Sequence, residues 1–221
     1  MNKLKSFVTS LHQSTSRNYL QRMVDDKPHC MAVASQYGHE YWDGDRRYGY
    51  GGYSFLPGRW KPVADSLINH YRLDNSSSII DIGCGKGFLL HELKLLLPGL
   101  KVIGLDISEH GIEHSTDSIR PHLKIHDCRQ KLPFEDKMFD LAISLGTLHN
   151  FKLRELRTAI AEINRIAVSK YIMVESYRTD VELFNLQCWA LTAKSFLDPD
   201  DWQWIFSQCS YDGDHEFIYF E

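Results

Sequence analysis

The sequence predicts an α/β fold, a doubly wound and mainly parallel sheet preceded by an N-terminal helical and loop lid. Three observations carry this expectation. From about residue 60, short β-branched runs alternate with helical periodicities, the pattern of successive βαβ units. The first of these runs, Ser78 to Ile82, leads directly into Gly83-Cys84-Gly85-Lys86-Gly87. Ahead of residue 60 the chain is instead crowded with Tyr, Gly, Arg and His.

In the leading segment, Leu4, Phe7, Val8 and Leu11 fall at helical spacing, and Asn18 to Val24 extends or follows that helix. Tyr48-Gly-Tyr-Gly-Gly-Tyr53 reads as a loop, punctuated further by Pro57 and Gly58. A helix is expected from Pro62 to Tyr71, a strand at Ser78 to Ile82, and a helix from Phe88 to Leu97 stopped by Pro98-Gly99. Lys101 to Leu105 is the second strand, Glu109 to Arg120 a helix, and Leu123 to Ile125 a short strand. Asp140 to Ser144 and Tyr171 to Glu175 are strands flanking a helix at Leu153 to Ile166. Helices at Val181 to Ala193 and Pro199 to Gln208 precede a last strand, Glu216 to Phe220, and a short strand near Cys209 to Tyr211 is expected to complete a terminal hairpin. The domain boundary is expected at residue 60, with 1–60 as lid and substrate-recognition segment and 61–221 as core.

At 221 residues, 43% hydrophobic and 24% charged, the chain suits one globular domain with a sizeable core. A net charge of −4 disfavours nucleic acid as a partner. Five scattered cysteines with no CxxC pair indicate neither a zinc ribbon nor a disulfide framework. No signal-peptide core or membrane-length apolar run is present, so a cytoplasmic protein without membrane insertion is expected.

In doubly wound sheets, ligands bind beyond the carboxyl ends of the strands at the topological switch point. Three nucleotide patterns compete for the loop after the first strand. A P-loop needs Ser or Thr after its Lys, but Gly87 follows Lys86. A dinucleotide fingerprint needs Gly at position 88, where Phe88 stands. What remains is an acid, Asp81, followed by GxGxG. A second strand then ends in Asp106, 19 residues after Gly87, where a carboxylate can accept both hydroxyls of a ribose.

With Asp127-Cys128, Leu132-Pro133-Phe134 and Phe139 to Ser144 in the same order, residues 60 to 175 resemble the class I S-adenosylmethionine (SAM)-dependent methyltransferases of the small-molecule, type 11-like branch. The resemblance implies a Rossmann-like core, SAM as methyl donor and S-adenosylhomocysteine (SAH) as product. It also implies roles: Asp81, Gly83, Gly85 and Gly87 around the methionine and ribose, Asp106 and Ile107 at the ribose diol, and Asp127 and Cys128 at the adenine. Cys84 belongs to the same loop, and Ser144 and Leu145 run past the sulfonium.

Methyl transfer depends chiefly on alignment, and a hydroxyl acceptor also benefits from a base. His149, in Gly146-Thr-Leu-His-Asn150 after the fourth strand, is the candidate base or substrate hydrogen-bond partner. Tyr177 and Arg178, after the fifth strand, are candidates for positioning an acceptor. Arg46, Tyr48, Tyr50 and Tyr53 in the lead-in, with Asn150, are candidate substrate contacts. No metal site is expected, although His110 and His114 have a spacing that can bind metal.

The Tyr/Gly lead-in, the Leu-His-Asn tripeptide and the aromatic carboxyl terminus also resemble bacterial methyltransferases encoded among surface-polysaccharide genes. That likeness implies O-methylation of a sugar or another small hydroxylated metabolite, with or without a phosphate, by a monomer or homodimer. An N-methyltransferase and a non-catalytic SAM-binding partner subunit are the alternatives.

Overall fold

The β-branched and aliphatic runs form six strands: β1 (Ser78–Ile82), β2 (Lys101–Asp106), β3 (Leu123–Ile125), β4 (Phe139–Leu145), β5 (Ala167–Glu175) and β6 (Asp214–Ile218). In the computed structural model, which describes residues 3–221, they make one sheet of order β3-β2-β1-β4-β5-β6. All five pairings are parallel. The order reverses between β1 and β4, so their carboxyl ends open the crevice that the fold class uses for ligands.

Among the described residues, ten α-helices surround the sheet: α1 (Thr9–Gln13), α2 (Tyr19–Val24), α3 (Lys27–Ala34), α4 (His39–Trp42), α5 (Lys61–Tyr71), α6 (Phe88–Leu96), α7 (Glu109–Glu113), α8 (Leu153–Ile166), α9 (Asp180–Trp189) and α10 (Pro199–Gln208). On one face, Leu156, Ile160 and Ile163 of α8 pack with Trp202 and Phe206 of α10. On the other, Leu67 of α5 packs with Leu90 and Leu93 of α6. Each such side chain is fully buried and contributes about 1.5–3 kcal/mol by leaving water.

Three expectations are corrected. Leu4 is not helical. It bridges in parallel to His215, with the Lys5 N–H on the His215 carbonyl (2.8 Å), so residues 3–5 run along the outer edge of β6. The helix at Glu109 stops at Glu113 rather than Arg120, because the run Ser115-Thr116-Asp117-Ser118 offers the backbone competing side-chain hydrogen bonds. Cys209 to Tyr211 forms no strand: it is the turn that ends α10, with Ser210 left-handed at φ 50. The last strand is therefore single, pairs directly with β5, and starts at Asp214 rather than Glu216.

A buried acid fixes the amino terminus to that edge. Glu216, fully buried in β6, accepts the N–H groups of Phe7 (2.6 Å), Val8 (3.0 Å) and Thr9 (2.7 Å), the Thr9 hydroxyl (2.6 Å) and the Tyr171 hydroxyl. A charge so deeply buried persists only when its lone pairs are filled in this way. The chain then turns back across the strand ends, where α2 packs against α9.

Candidate active site

Gly83, Gly85 and Gly87 all have positive φ (81, 54 and 68), conformations that side-chain-bearing residues rarely adopt. The Gly83 and Cys84 N–H groups close onto the Leu105 carbonyl (2.7 and 3.0 Å), tying the loop to β2. At Gly85 a Cβ would lie 2.7 Å from the Trp42 ring, so the N-terminal segment rests directly on the glycine loop. We expect Gly85→Ala to lower Tm through backbone strain of about 1–3 kcal/mol and to lift Trp42. Faster tryptic cleavage after Arg46 and Arg59 is the readout, and an unchanged digestion rate would contradict this docking.

The N-terminal segment and the glycine loop are joined by charge as well. The buried Lys86 ammonium contacts both Asp43 oxygens (2.6 and 2.7 Å) and the Tyr53 carbonyl (2.8 Å). His110 of α7 meets the same carboxylate at 2.7 Å. Despite burial, Lys86 and then His110 hold Asp43 below the usual carboxylate range. Trp42 Nε1 donates to Ser108 Oγ (2.8 Å), whose hydroxyl donates to the Tyr37 carbonyl. Lys86 and His110 are thus both committed to Asp43.

Behind these contacts a cavity of about 510 Å³ opens along the ends of β1, β4 and β5. Asp81, Gly83, Cys84, Gly85, Leu145 and Asn150 line it, with His149, Arg46, Tyr50 and Tyr53. Two buried acceptors there have no partner, Asp81 Oδ1 and Asn150 Oδ1. An unpaired buried carboxylate calls for a cation. The ammonium of SAM supplies one, and the left-handed glycines leave the backbone bare beside it, so these residues fit that cofactor.

Burial first, and then the neighbouring Asp106, push Asp81 up to about 8. Unfolded, an aspartate releases its proton near 4, so the folded chain retains a proton that the unfolded chain has lost. Stability in the absence of ligand therefore falls as pH rises from about 4 to about 8. A cation beside Asp81 favours the ionised form, so its binding expels that proton. SAH affinity is expected to rise with pH, up to about tenfold per unit, and to level off above about 8. Calorimetry in buffers of different ionisation heat checks this through proton release at neutral pH. Release that persists in Asp81→Asn would contradict it.

The remaining acids are more enclosed. Asp106 accepts the Gly85 N–H (2.7 Å) and the Ser108 N–H (2.8 Å); burial raises it, partly offset by those amides. It is buried and does not line the cavity; Ser108, whose N–H it accepts, is itself joined to Trp42 and Tyr37. Ile107, 45% exposed, also lies off the cavity. Asp127 is gripped by Arg129 Nε and Nη2 (2.8 and 2.9 Å), which hold it below the usual range. The buried Cys128 thiol is pushed up to about 12, chiefly by burial. Ser144 is fully buried with its hydroxyl on the Ile82 carbonyl (3.0 Å), where it stitches β4 to β1. Gly87 packs under Leu123 rather than facing the cavity.

At the end of β4, His149 meets an acid from the end of β5. Its Nε2 lies 3.3 Å from Glu175 Oε2, and its Nδ1 accepts the Glu175 N–H at 3.4 Å. That assignment puts the imidazole proton on Nε2, pointing at the carboxylate. His149 is itself 5% exposed and held from behind, its carbonyl accepting the Lys194 and Ser195 N–H groups (2.9 and 3.0 Å). Neither ring nitrogen is free, whereas Glu175 faces the cavity. Tyr177 and Arg178 after this strand stood out in the sequence, but Glu175, its last residue, did not; the signal available was a carboxylate ending the strand next to the one that leads into His149.

Three sequence candidates stand apart. Arg178 pairs with Glu182 and Glu221 and covers the Tyr219 ring at 3.9 Å, away from the cavity. Its neighbour Tyr177 packs into the second core cluster. Tyr48 meets His29 edge-on at 5.8 Å. By contrast Tyr50 and Tyr53 pack together at 4.5 Å on the cavity wall, and Tyr50 remains 43% exposed. Trp42, Arg17, Arg22 and Trp189 also line the cavity and carried no signal in motif spacing.

Residues 79–169 match the family model described as a methyltransferase domain. The mitochondrial arginine-hydroxylase of Mus musculus is 29% identical over 109 residues, 49% of this chain and 31% of that protein. The malonyl-[acyl-carrier protein] O-methyltransferase of Hahella chejuensis is 30% identical over 141 residues, 62% of this chain and 50% of that protein. The chain thus spans between about a third and a half of the length of these curated relatives. A methyltransferase from Haloferax volcanii, solved with its methyltransferase activator, shares the fold at TM-score 0.54 and 21% identity, over 69% of this chain and 72% of that one.

Fold and glycine-loop geometry together define the class I methyltransferase architecture. Residues 79–169 carry a methyltransferase domain, and SAM is the methyl donor for domains of this kind. Among the described residues, no helix is long and apolar enough to cross a membrane.

Proposed function

We propose that the chain transfers a methyl group from SAM to an oxygen of a small polar acceptor, a sugar or another hydroxylated metabolite. The observation that carries this is the Glu175–His149 pair, which lines the same cavity as the unpartnered Asp81 carboxylate. Bound SAM supplies a methyl carbon made electrophilic by its sulfonium. Asp81 pairs with the cofactor's ammonium, Gly83 and Gly85 leave room for its backbone-side edge, and Asp106 takes the ribose hydroxyls once Tyr37 and Trp42 lift. Glu175 accepts the acceptor's hydroxyl hydrogen, and His149 Nε2–H holds that carboxylate in place.

Asn150, Arg46, Tyr50 and Tyr53 form the acceptor's walls, with residues 1–60 as the lid over a core of 61–221. Tyrosine faces suit a sugar ring and its hydroxyls. The O-methyltransferase relative from Hahella chejuensis supports oxygen as the target. A place in surface-polysaccharide synthesis is part of the proposal and rests on the sequence resemblance alone.

The test is transfer of labelled methyl from SAM to a panel of monosaccharides, their phosphates and small amines, with products identified by mass spectrometry. An O-methyl ether is expected. Label that appears on nitrogen alone would overturn the oxygen assignment.

A further inference from the structure

Trp189 ends α9, and its indole is surrounded by guanidinium groups from the lid. Arg22 lies 4.4 Å from the ring centroid, Arg46 5.1 Å and Arg17 5.5 Å. All four side chains line the cavity. Three cations on one ring is a dense charge, and their hydrogen bonds do not neutralise it. Arg17 donates to the carbonyls of His12 (3.1 Å) and Thr15 (2.9 Å) and contacts His12 Nδ1 (3.1 Å). Arg22 donates to the carbonyls of Arg46, Arg47 and Gly49 (3.0, 3.0 and 3.2 Å), and Arg46 to the Gly49 carbonyl.

Among the described residues, no carboxylate forms an ion pair with any of the three. The neighbouring acids are engaged elsewhere, Asp25 by Arg47 (2.6 Å) and Glu175 by His149 (3.3 Å). Arg17 Nε is buried without a partner. Lys27, whose ammonium reaches only the Cys188 carbonyl (2.6 Å), adds a further cation nearby. Burial and then Arg46 lower Arg22 to about 10; burial and then Arg22 lower Lys27 to about 8. The charges in this corner repel one another, and an anion placed among them would relieve that repulsion.

Strand order fixes which ligand that anion belongs to. The glycine loop follows β1, whereas Arg17 also covers Phe220 at 5.3 Å, just past the end of β6 and three strand spacings away, about 14 Å. Glu175, at the end of β5, stands between the two. A group on the arginines therefore lies on the far side of the reacting oxygen from the cofactor.

Resting on the methyl-transfer reading above, we infer that Arg17, Arg22 and Arg46, arrayed on Trp189, bind an anionic group of the methyl acceptor, a phosphate or a carboxylate. The substrate class is thereby narrowed to anionic hydroxylated metabolites, and neutral sugars are disfavoured.

The test uses the full chain. SAH binding is first measured by calorimetry for wild type, Arg17→Gln and Arg46→Gln; Arg22 is left intact because its three carbonyl contacts hold the lid together. The SAH-saturated proteins are then titrated with inorganic phosphate and with acetate, with chloride at matched ionic strength as control, and Tm is recorded. Phosphate, acetate or both should raise the wild-type Tm beyond chloride, with the larger shift identifying the group. Each substitution should remove most of that shift while changing SAH affinity by less than about threefold, under ~0.7 kcal/mol. The inference is overturned if neither anion exceeds chloride, or if the shift survives both substitutions. It is also overturned if SAH affinity falls about tenfold in the variants, since the arginines would then serve the cofactor's carboxylate. Failure of wild type to bind SAH at all is read before any anion is added, and it sinks the methyl-transfer reading separately.

Discussion

Glu175→Gln is expected to lower kcat about 10²- to 10⁴-fold while leaving SAH affinity unchanged. Glutamine keeps the shape of the side chain and can still hydrogen-bond, but it cannot take a proton from an acceptor hydroxyl. The fold should tolerate the exchange, because residue 175 is held by its backbone: its N–H goes to His149 Nδ1 and its carbonyl accepts Trp202 Nε1–H (3.3 Å). His149→Gln should cost less, since it removes the group that orients the carboxylate rather than the carboxylate itself. The order of the two effects is the discriminating readout. If His149→Gln were the more damaging and Glu175→Gln nearly silent, imidazole would be the base and Glu175 its orienter, reversing the roles assigned here.

Asp106→Ala should weaken SAH binding at least about 100-fold. Two hydrogen bonds from ribose hydroxyls to a charged acceptor contribute about 1.5–3 kcal/mol each, and about 1.4 kcal/mol is a factor of ten. The same substitution strands the N–H groups of Gly85 and Ser108, which Asp106 holds at 2.7 and 2.8 Å, so Tm should fall too. The two effects separate on titration: a destabilised but folded variant that still bound SAH normally would show that Asp106 only braces the loop. Asp127, already gripped by Arg129, should matter much less to binding than Asp106.

Much of the core was legible because its signals are local. Ser78–Ile82 is bounded by polar residues before it and glycines after it, and its limits in the structure are those read from the chain. Asp81 and Asp106 announced themselves through spacing along two consecutive strands. The lid was harder to read, because its order is imposed by distant partners. Leu4 looks helical beside Phe7, Val8 and Leu11, yet Glu216, more than 200 residues away, captures the Phe7 and Val8 amides and pulls the preceding chain onto β6.

The same holds where β4 and β5 end. His149 stands out as a titratable group after a strand, but its dependence on Glu175 appears only once β4 and β5 lie side by side. Arg178 looked suited to an acceptor because it follows a strand end, and Glu182 one helical turn later takes it up instead. Arg17, Arg22 and Arg46 are scattered over 30 residues, and their convergence depends on α2 packing against α9.

The central claim is that the crevice over β1 and β4 is built for SAM rather than for another nucleotide. Its most direct test is equilibrium binding of SAH to the full chain at pH 8, with ATP and NAD as competitors. One-to-one SAH binding that neither competitor displaces at millimolar concentration is the result expected from the glycine loop, Asp81 and Asp106. No SAH binding, or displacement by ATP or NAD, would contradict it.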